Sequence, residues 1–175
     1  MLTNVNFRTE HFEFVNYVNM TEEQSYAIWE GRNHPDIRRW MENPEPFPYE
    51  SHKNFVQSLK DRNDRLYWAI VYNNEVIGSY CLNPYDINTK EGEMGKYLLS
   101  NYMGQGLGKL ATEEFLDYVF TNKIVSRIVI KTLISNTRNQ HVNKLMGFEE
   151  SGRDDKYVYM AVSYTHLRAH ETAAN

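Results

Sequence analysis

The densest chemistry in the chain lies in Leu98-Leu99-Ser100-Asn101-Tyr102-Met103-Gly104-Gln105-Gly106-Leu107-Gly108-Lys109. Glycines stand at 104, 106 and 108, and Leu107, Leu110, Ala111, Phe115, Tyr118 and Val119 follow at helical spacing. Glycines let main-chain amides face outward with no Cβ in the way, and the start of a helix carries partial positive charge. The pattern suits an anion the size of a pyrophosphate. Carboxylates and phenols flank it (Glu93, Tyr97, Tyr80), and a polar run, Asn136 to Lys144, ends in Gly147-Phe148. Upstream, Trp29 to Met41 interleaves Arg32, His34, Arg38 and Arg39 with Trp40, and His52 follows. The two histidines have no acidic company at ligand spacing and Cys81 is the single cysteine, so no metal centre is expected.

These groups need elements to hold them. Residues 12–18 read as a strand. Thr21-Glu22-Glu23-Gln24 fits a capping box opening a helix to about residue 32. Pro35 suits the first turn of a short second helix with Ile37, Trp40 and Met41 on one face, and Trp40 and Met41 are expected in the core. Pro44, Pro46 and Pro48 force a loop. A helix over 50–61 follows, with Phe55, Val56 and Leu59 inward. Residues 66–72 and 76–82 form a hairpin turning at Asn73-Asn74. Further strands are expected at 93–99, 125–133 and 157–162, and helices at 106–120 and 136–146. Helices alternate with strands only in the second half, so the class is α/β with a mixed sheet.

The chain has 175 residues, which suits one domain, placed over 1–162. Hydrophobic residues make up 41% and charged residues 24%, enough for a core and against wholesale disorder. The net charge is −4 without basic runs, which argues against nucleic acid as a partner. No apolar run suits a membrane span and the first residues do not read as a secretory signal, so a cytoplasmic location is expected and a membrane partner is not. Ser163 to Asn175 shows no period and is set aside as a non-native or disordered tail.

Three phosphate-binding loops compete. Gly108-Lys109-Leu110 lacks the hydroxyl that a Walker loop needs after its lysine, and G-x-G-x-G is not the dinucleotide spacing G-x-G-x-x-G. Met103-Gly104-Gln105-Gly106-Leu107-Gly108 instead resembles the acetyl-CoA loop of the GNAT N-acetyltransferases, Arg/Gln-x-x-Gly-x-Gly/Ala, with Met103 in the Arg/Gln place. Glu93 to Leu98 resembles that family's preceding strand. Asn136 to Phe148 resembles its second motif, an Asn followed eleven residues later by Gly-Phe.

The resemblance implies the acyl-CoA N-acyltransferase (GNAT) fold, a splayed central sheet with flanking helices. It implies acetyl-CoA as cofactor and direct acetyl transfer to a primary amine. Backbone groups of Tyr97 to Leu99, Leu98 among them, would hold the pantetheine arm beside strand 125–133. The amides of Met103, Gly104, Gln105, Gly106, Leu107, Gly108 and Lys109 would take the pyrophosphate. Asn136 and Asn139 would reach the cofactor's far side, and Arg138 or Lys144 the nucleotide phosphate. A backbone amide near Leu99, with Leu99 itself the residue assigned, would stabilise the oxyanion and Glu93 would serve as base. The family often has a Tyr where this chain has Asn143, so Tyr97, Tyr80 or water is left to reprotonate the thiolate.

Trp29 to Met41 with His52 and Phe55 resembles, more loosely, the branch that acetylates the 4-amino group of nucleotide-linked amino sugars in the pseudaminic acid pathway. Arg32, His34, Trp40, His52 and Tyr80 are then candidate substrate contacts, with a UDP-amino sugar as the acceptor. A protein N-terminus, a polyamine, an aminoglycoside or a non-catalytic acyl-CoA-binding role stay open, as does a homodimer.

Overall fold

In a computed structural model of the chain, residues 4–165 and 167 are described. Their strands form one sheet in the order β1-β2-β3-β4-β5-β6-β8-β7. The strands are β1 (Phe7–Arg8), β2 (Glu13–Asn16), β3 (Leu66–Tyr72), β4 (Glu75–Asp86), β5 (Glu91–Leu98), β6 (Arg127–Leu133), β7 (Glu149–Arg153) and β8 (Tyr157–Ser163). The helices are α1 (Glu22–Asn33), α2 (Pro35–Arg38), α3 (Tyr49–Ser58), α4 (Leu107–Thr121) and α5 (Thr137–Leu145).

The local signals act as expected. Thr21 accepts from the Gln24 amide while the Gln24 side chain takes the Thr21 amide, which fixes the start of α1. Asn73 and Asn74 take positive φ (50° and 67°) and turn the β3–β4 hairpin. β1 and β7 were not foreseen. β1 has two residues, and β7 (Glu-Glu-Ser-Gly-Arg) is exposed throughout and has no apolar alternation. The strand expected over 12–18 is cut at Asn16, whose side chain accepts from the Val18 amide and caps a short 3-10 turn. The last strand takes in Ser163, and Leu167 is buried in the main core, so the segment set aside as a tail contributes to the fold at both places. His166 and residues 168–175 of that tail lie outside the described residues.

One parallel pair interrupts a sheet otherwise antiparallel. β5 and β6 pair only through Glu91↔Arg127, Gly92↔Ile128 and Glu93↔Val129. β5 continues along β4 as far as Gly78↔Leu98, and β6 continues along β8 as far as Leu133↔Tyr157. Each strand is held on its outer side, so the seam between them opens beyond Glu93 and Val129.

The main core lies on the α4 face and includes Phe14, Trp68, Tyr80, Phe115, Ile128, Phe148 and Met160. Thr132 alternates in phase with Ile128 and Ile130, and Asn139 on α5 donates to its hydroxyl at 2.9 Å, so α5 lies on this face too. A smaller core of Tyr17, Ile28, Leu59 and Ala69 sits on the opposite face beneath α1 and α3. There α1 comes so close that a Cβ on Gly31 would sit 2.1 Å from Leu99 Cδ2.

Candidate active site

The glycine-rich turn is built as an open cradle. Gly104 and Gly106 both have φ of +77°, the left-handed region glycine enters without steric cost, and a Cβ on either would meet nothing within 4 Å. Gly106 is the N-cap of α4 and no side chain caps that end, so the amides of its first turn are left for another acceptor. Gly108 packs over Leu98, where a Cβ would lie 3.3 Å from Leu98 Cδ1. Met103, Gly104, Gln105, Gly106 and Lys109 are exposed, while Leu107 is half-buried. Lys109 lies 3.9 Å from Glu113.

The open seam runs from Glu93 toward this cradle. The Leu99 amide, expected to meet the thioester oxygen, is already donated to the Ile77 carbonyl at 2.7 Å. In an antiparallel ladder, successive residues turn their main-chain groups to alternate neighbours. Leu98 and Lys96 therefore turn theirs away from β4, toward the side that β6 has left. This corrects the assignment of Leu99: the free amides along β5 belong to Lys96 and Leu98. Tyr97 is out of phase as well. Its side chain lies on the α1 face, beside the Tyr17 and Ser79 hydroxyls, which are bonded to each other at 2.6 Å. Burial pushes its phenol up to about 12, so transfer of its proton to a thiolate with an ordinary pKa near ~8.5 runs uphill.

Glu93 projects from β5 on the same face as Tyr97 and is half-buried. Burial raises its carboxyl above the usual range, Lys131 draws it back, and Glu42 raises it further. Such a carboxylate is a better proton acceptor than one in open water.

Several other expected contacts have structural work instead. Tyr80 is 2% exposed on the α4 face and its hydroxyl meets the Gly108 carbonyl (3.1 Å) and the Thr112 hydroxyl (2.8 Å). His52 is 4% exposed and bonded to Ser25 at 3.0 Å, and burial lowers its pKa. Both are buried with polar atoms bonded within the protein. His34 caps α2 by accepting from the Asp36 amide. Trp40, expected in the core, is 42% exposed beneath the Arg39 guanidinium, because α2 ends at Arg38 and leaves it past the buried Ile37. Asn136 caps α5, and Asn139 is turned to Thr132. Arg138 and Lys144 are exposed on α5.

Arg32 and Arg38 grip the proline-rich loop. Arg32 donates to the Asn43 carbonyl (3.2 Å) and lies over the Phe47 ring, and Arg38 donates to the Pro44 carbonyl (3.2 Å). Among the described residues, Arg32 Nη1 and Arg38 Nε are buried without an acceptor.

Four participants went unread in the sequence. Lys96 is carried by β5, and burial pushes its ammonium down to about 8. Its position on an inward phase of the strand, next but one to Met94 and Leu98, was the available signal. Tyr17 supports Tyr97, and Lys131 and Glu42 flank Glu93. Lys131 is legible as the outward phase of a strand whose inward phase is Ile128, Ile130 and Thr132, but its closeness to Glu93 depends on parallel pairing.

Among the described residues, no group of three His, Cys, Asp or Glu is placed to hold a metal, and no helix is long and apolar enough to cross a membrane.

Comparison with known proteins agrees with the fold. Acetyltransferase PseH of Campylobacter jejuni is 22% identical over 154 residues, spanning 88% of this chain and 95% of that protein. The crystal structure of that organism's PseH with acetyl coenzyme A superposes with a TM-score of 0.71 at 18% identity, covering 87% of this chain and 99% of the other. Spermidine N-acetyltransferase from Vibrio cholerae, solved with CoA and spermine, gives a TM-score of 0.80 at 15% identity over 90% and 98%. The profile of the Acetyltransferase (GNAT) domain matches residues 16–149. With a seam that parts beyond Glu93 and an uncapped helix opening on left-handed glycines, the chain belongs to the GNAT acetyltransferase family.

Proposed function

We propose that the chain moves the acetyl group of acetyl-CoA to the 4-amino group of a nucleotide-linked amino sugar. The observation that carries the acetyl-CoA part is the open seam running into the 104–108 cradle, which suits an extended arm ending in a diphosphate. Bound there, acetyl-CoA supplies an activated acetyl thioester. The protein's own work is then threefold. The exposed glycine turn and the first amides of α4 hold the anionic end. The inward-turned amides of Lys96 and Leu98 bond the arm as a missing strand would, and Lys96, farther from the cradle and nearer Glu93, lies in phase to donate to a developing oxyanion. Glu93, held partly buried on the α1 face, accepts the proton that the acceptor ammonium must lose.

The sugar reading is supported by the PseH relatives, by the likeness of residues 29–55 to the amino-sugar branch and by the two arginines. Arg32 Nη1 and Arg38 Nε are buried donors without acceptors, the chemistry that recognises a phosphate. A polyamine acceptor is the second reading, favoured by the likeness to the spermidine enzyme. The test is CoA release from acetyl-CoA with a UDP-linked 4-amino sugar, spermidine and an N-terminal peptide. Turnover on the sugar alone is expected. Turnover on spermidine or peptide but not on the sugar overturns the substrate. Tight binding without turnover on any amine leaves an acyl-CoA-binding module.

A further inference from the structure

We propose that the Glu42–Lys131 ion pair acts as an electrostatic clamp on Glu93, with the loop after α2 serving as the strap that carries Glu42 to the sheet. The proposal rests on the reading of Glu93 as the base. Lys131 Nζ lies 3.4 Å from Glu42 Oε2, joining positions 89 apart in sequence. Lys131 is on the α1-face phase of β6, two residues past Val129, the partner of Glu93. The Lys131 ammonium also lies 5.0 Å from the centre of the Tyr157 ring on β8, which fixes its direction along the sheet. Tyr157 Oη is buried with no partner among the described residues, so the ring is held by packing and the cation rather than by its hydroxyl. The strap itself is fastened from within, by Arg32 on Asn43 and Arg38 on Pro44.

The charges reaching Glu93 oppose each other. Lys131 favours the carboxylate and Glu42 disfavours it. The other titratable groups facing it are Cys81 on β4, whose thiol burial pushes up to about 11, and Tyr159 on β8, whose phenol is raised by its bond to Asp154. Both are neutral where a carboxylate titrates; Asp154, which accepts from Tyr159 and is itself drawn down in part by Lys131, is a further charge of the cluster that every variant below retains, so the differences between variants report Lys131 and Glu42. Their ion pair is partly open to solvent, with Lys131 at 27% and Glu42 at 72% side-chain exposure. Its contribution to stability is therefore small, and its effect falls on Glu93.

The test uses the full chain with Glu side-chain carboxyls labelled with carbon-13, the Glu93 signal being the one lost in Glu93→Gln. In Lys131→Met, the carboxylate loses a favourable neighbour and is left facing Glu42, so Glu93 titrates at higher pH than in the wild type. In Glu42→Gln it titrates at lower pH, because a like charge is removed and Lys131 is released toward it. Lys131→Arg keeps the charge and restores the wild-type titration. The acid limb of kcat/KM for acetyl transfer to the UDP-linked 4-amino sugar, or to spermidine if that is the acceptor turned over, moves in the same two directions. A merely structural role would lower activity in both variants without opposite shifts. Titrations that stay put, or move the same way in both variants, overturn the clamp. Opposite shifts of the carbon-13 titration with an unmoved kinetic limb leave the electrostatics standing and overturn Glu93 as the base.

Discussion

At the scale of single residues, geometry divides the polar groups into those already satisfied and those left waiting. Tyr80, His52, Asn136 and Asn139 have their partners inside the protein, whereas the amides in the first turn of α4 have no side-chain cap. Gly106→Trp puts bulk into the open space before α4 and an L side chain at positive φ, so acetyl-CoA affinity is expected to fall by ~10-fold or more, about 1.4 kcal/mol. Titration calorimetry checks this, with Gly106→Asn, which tolerates the same φ, as the control for backbone strain. Glu93→Gln removes the proton acceptor but keeps the shape, and kcat/KM on the preferred amine is expected to drop by ~100-fold or more. Unchanged kinetics would return the base role to water.

At the scale of elements, two joints matter most: α4 against β4 and β5, and α1 against β5. Tyr80 ties the first by bonding Gly108 and Thr112 in the first turns of α4. Tyr80→Phe keeps the ring among Phe14 and Phe115 and removes the hydroxyl, so it is expected to cost roughly 0.5–1.5 kcal/mol in urea unfolding. Activity should change little, which separates this tyrosine from a substrate contact. Gly31 allows the second joint, and β5 owes its place between the two faces to both. That is how Glu93 comes to look toward the helical first half while Leu98 lies beneath the glycine turn.

At the scale of the molecule, the larger core carries the stability. Phe115 is fully buried against Phe14, Trp68 and Tyr80, so Phe115→Ala is expected to cost ~3–5 kcal/mol. Calorimetric or urea unfolding measures the loss. The smaller core adds a pH dependence through His52. Its pKa in the folded chain is depressed by burial, so below an unfolded value near ~6.5 the unfolded chain takes up a proton that the folded chain resists. Stability from this group is intact at neutral pH and declines as pH falls through that region. His52→Gln should therefore narrow the gap between unfolding free energies measured on either side of it. His11 acts the other way, since its bond to Glu114 raises its pKa.

How much of this was legible along the chain follows from the range of the forces. The capping box, the Asn73-Asn74 turn, the glycine cradle, most helices and strands and the family resemblance all depend on neighbours within a few residues, and the residue types alone determine them. Tertiary structure decided the remainder: which β5 amides face the seam, the interior places of Tyr80 and His52, the exposure of Trp40, and the meeting of Glu42, Lys131 and Glu93. Each of these depends on strand register or on where a helix ends against its neighbour. A one-residue change in either turns a side chain or an amide to the opposite side, and no local pattern records that choice.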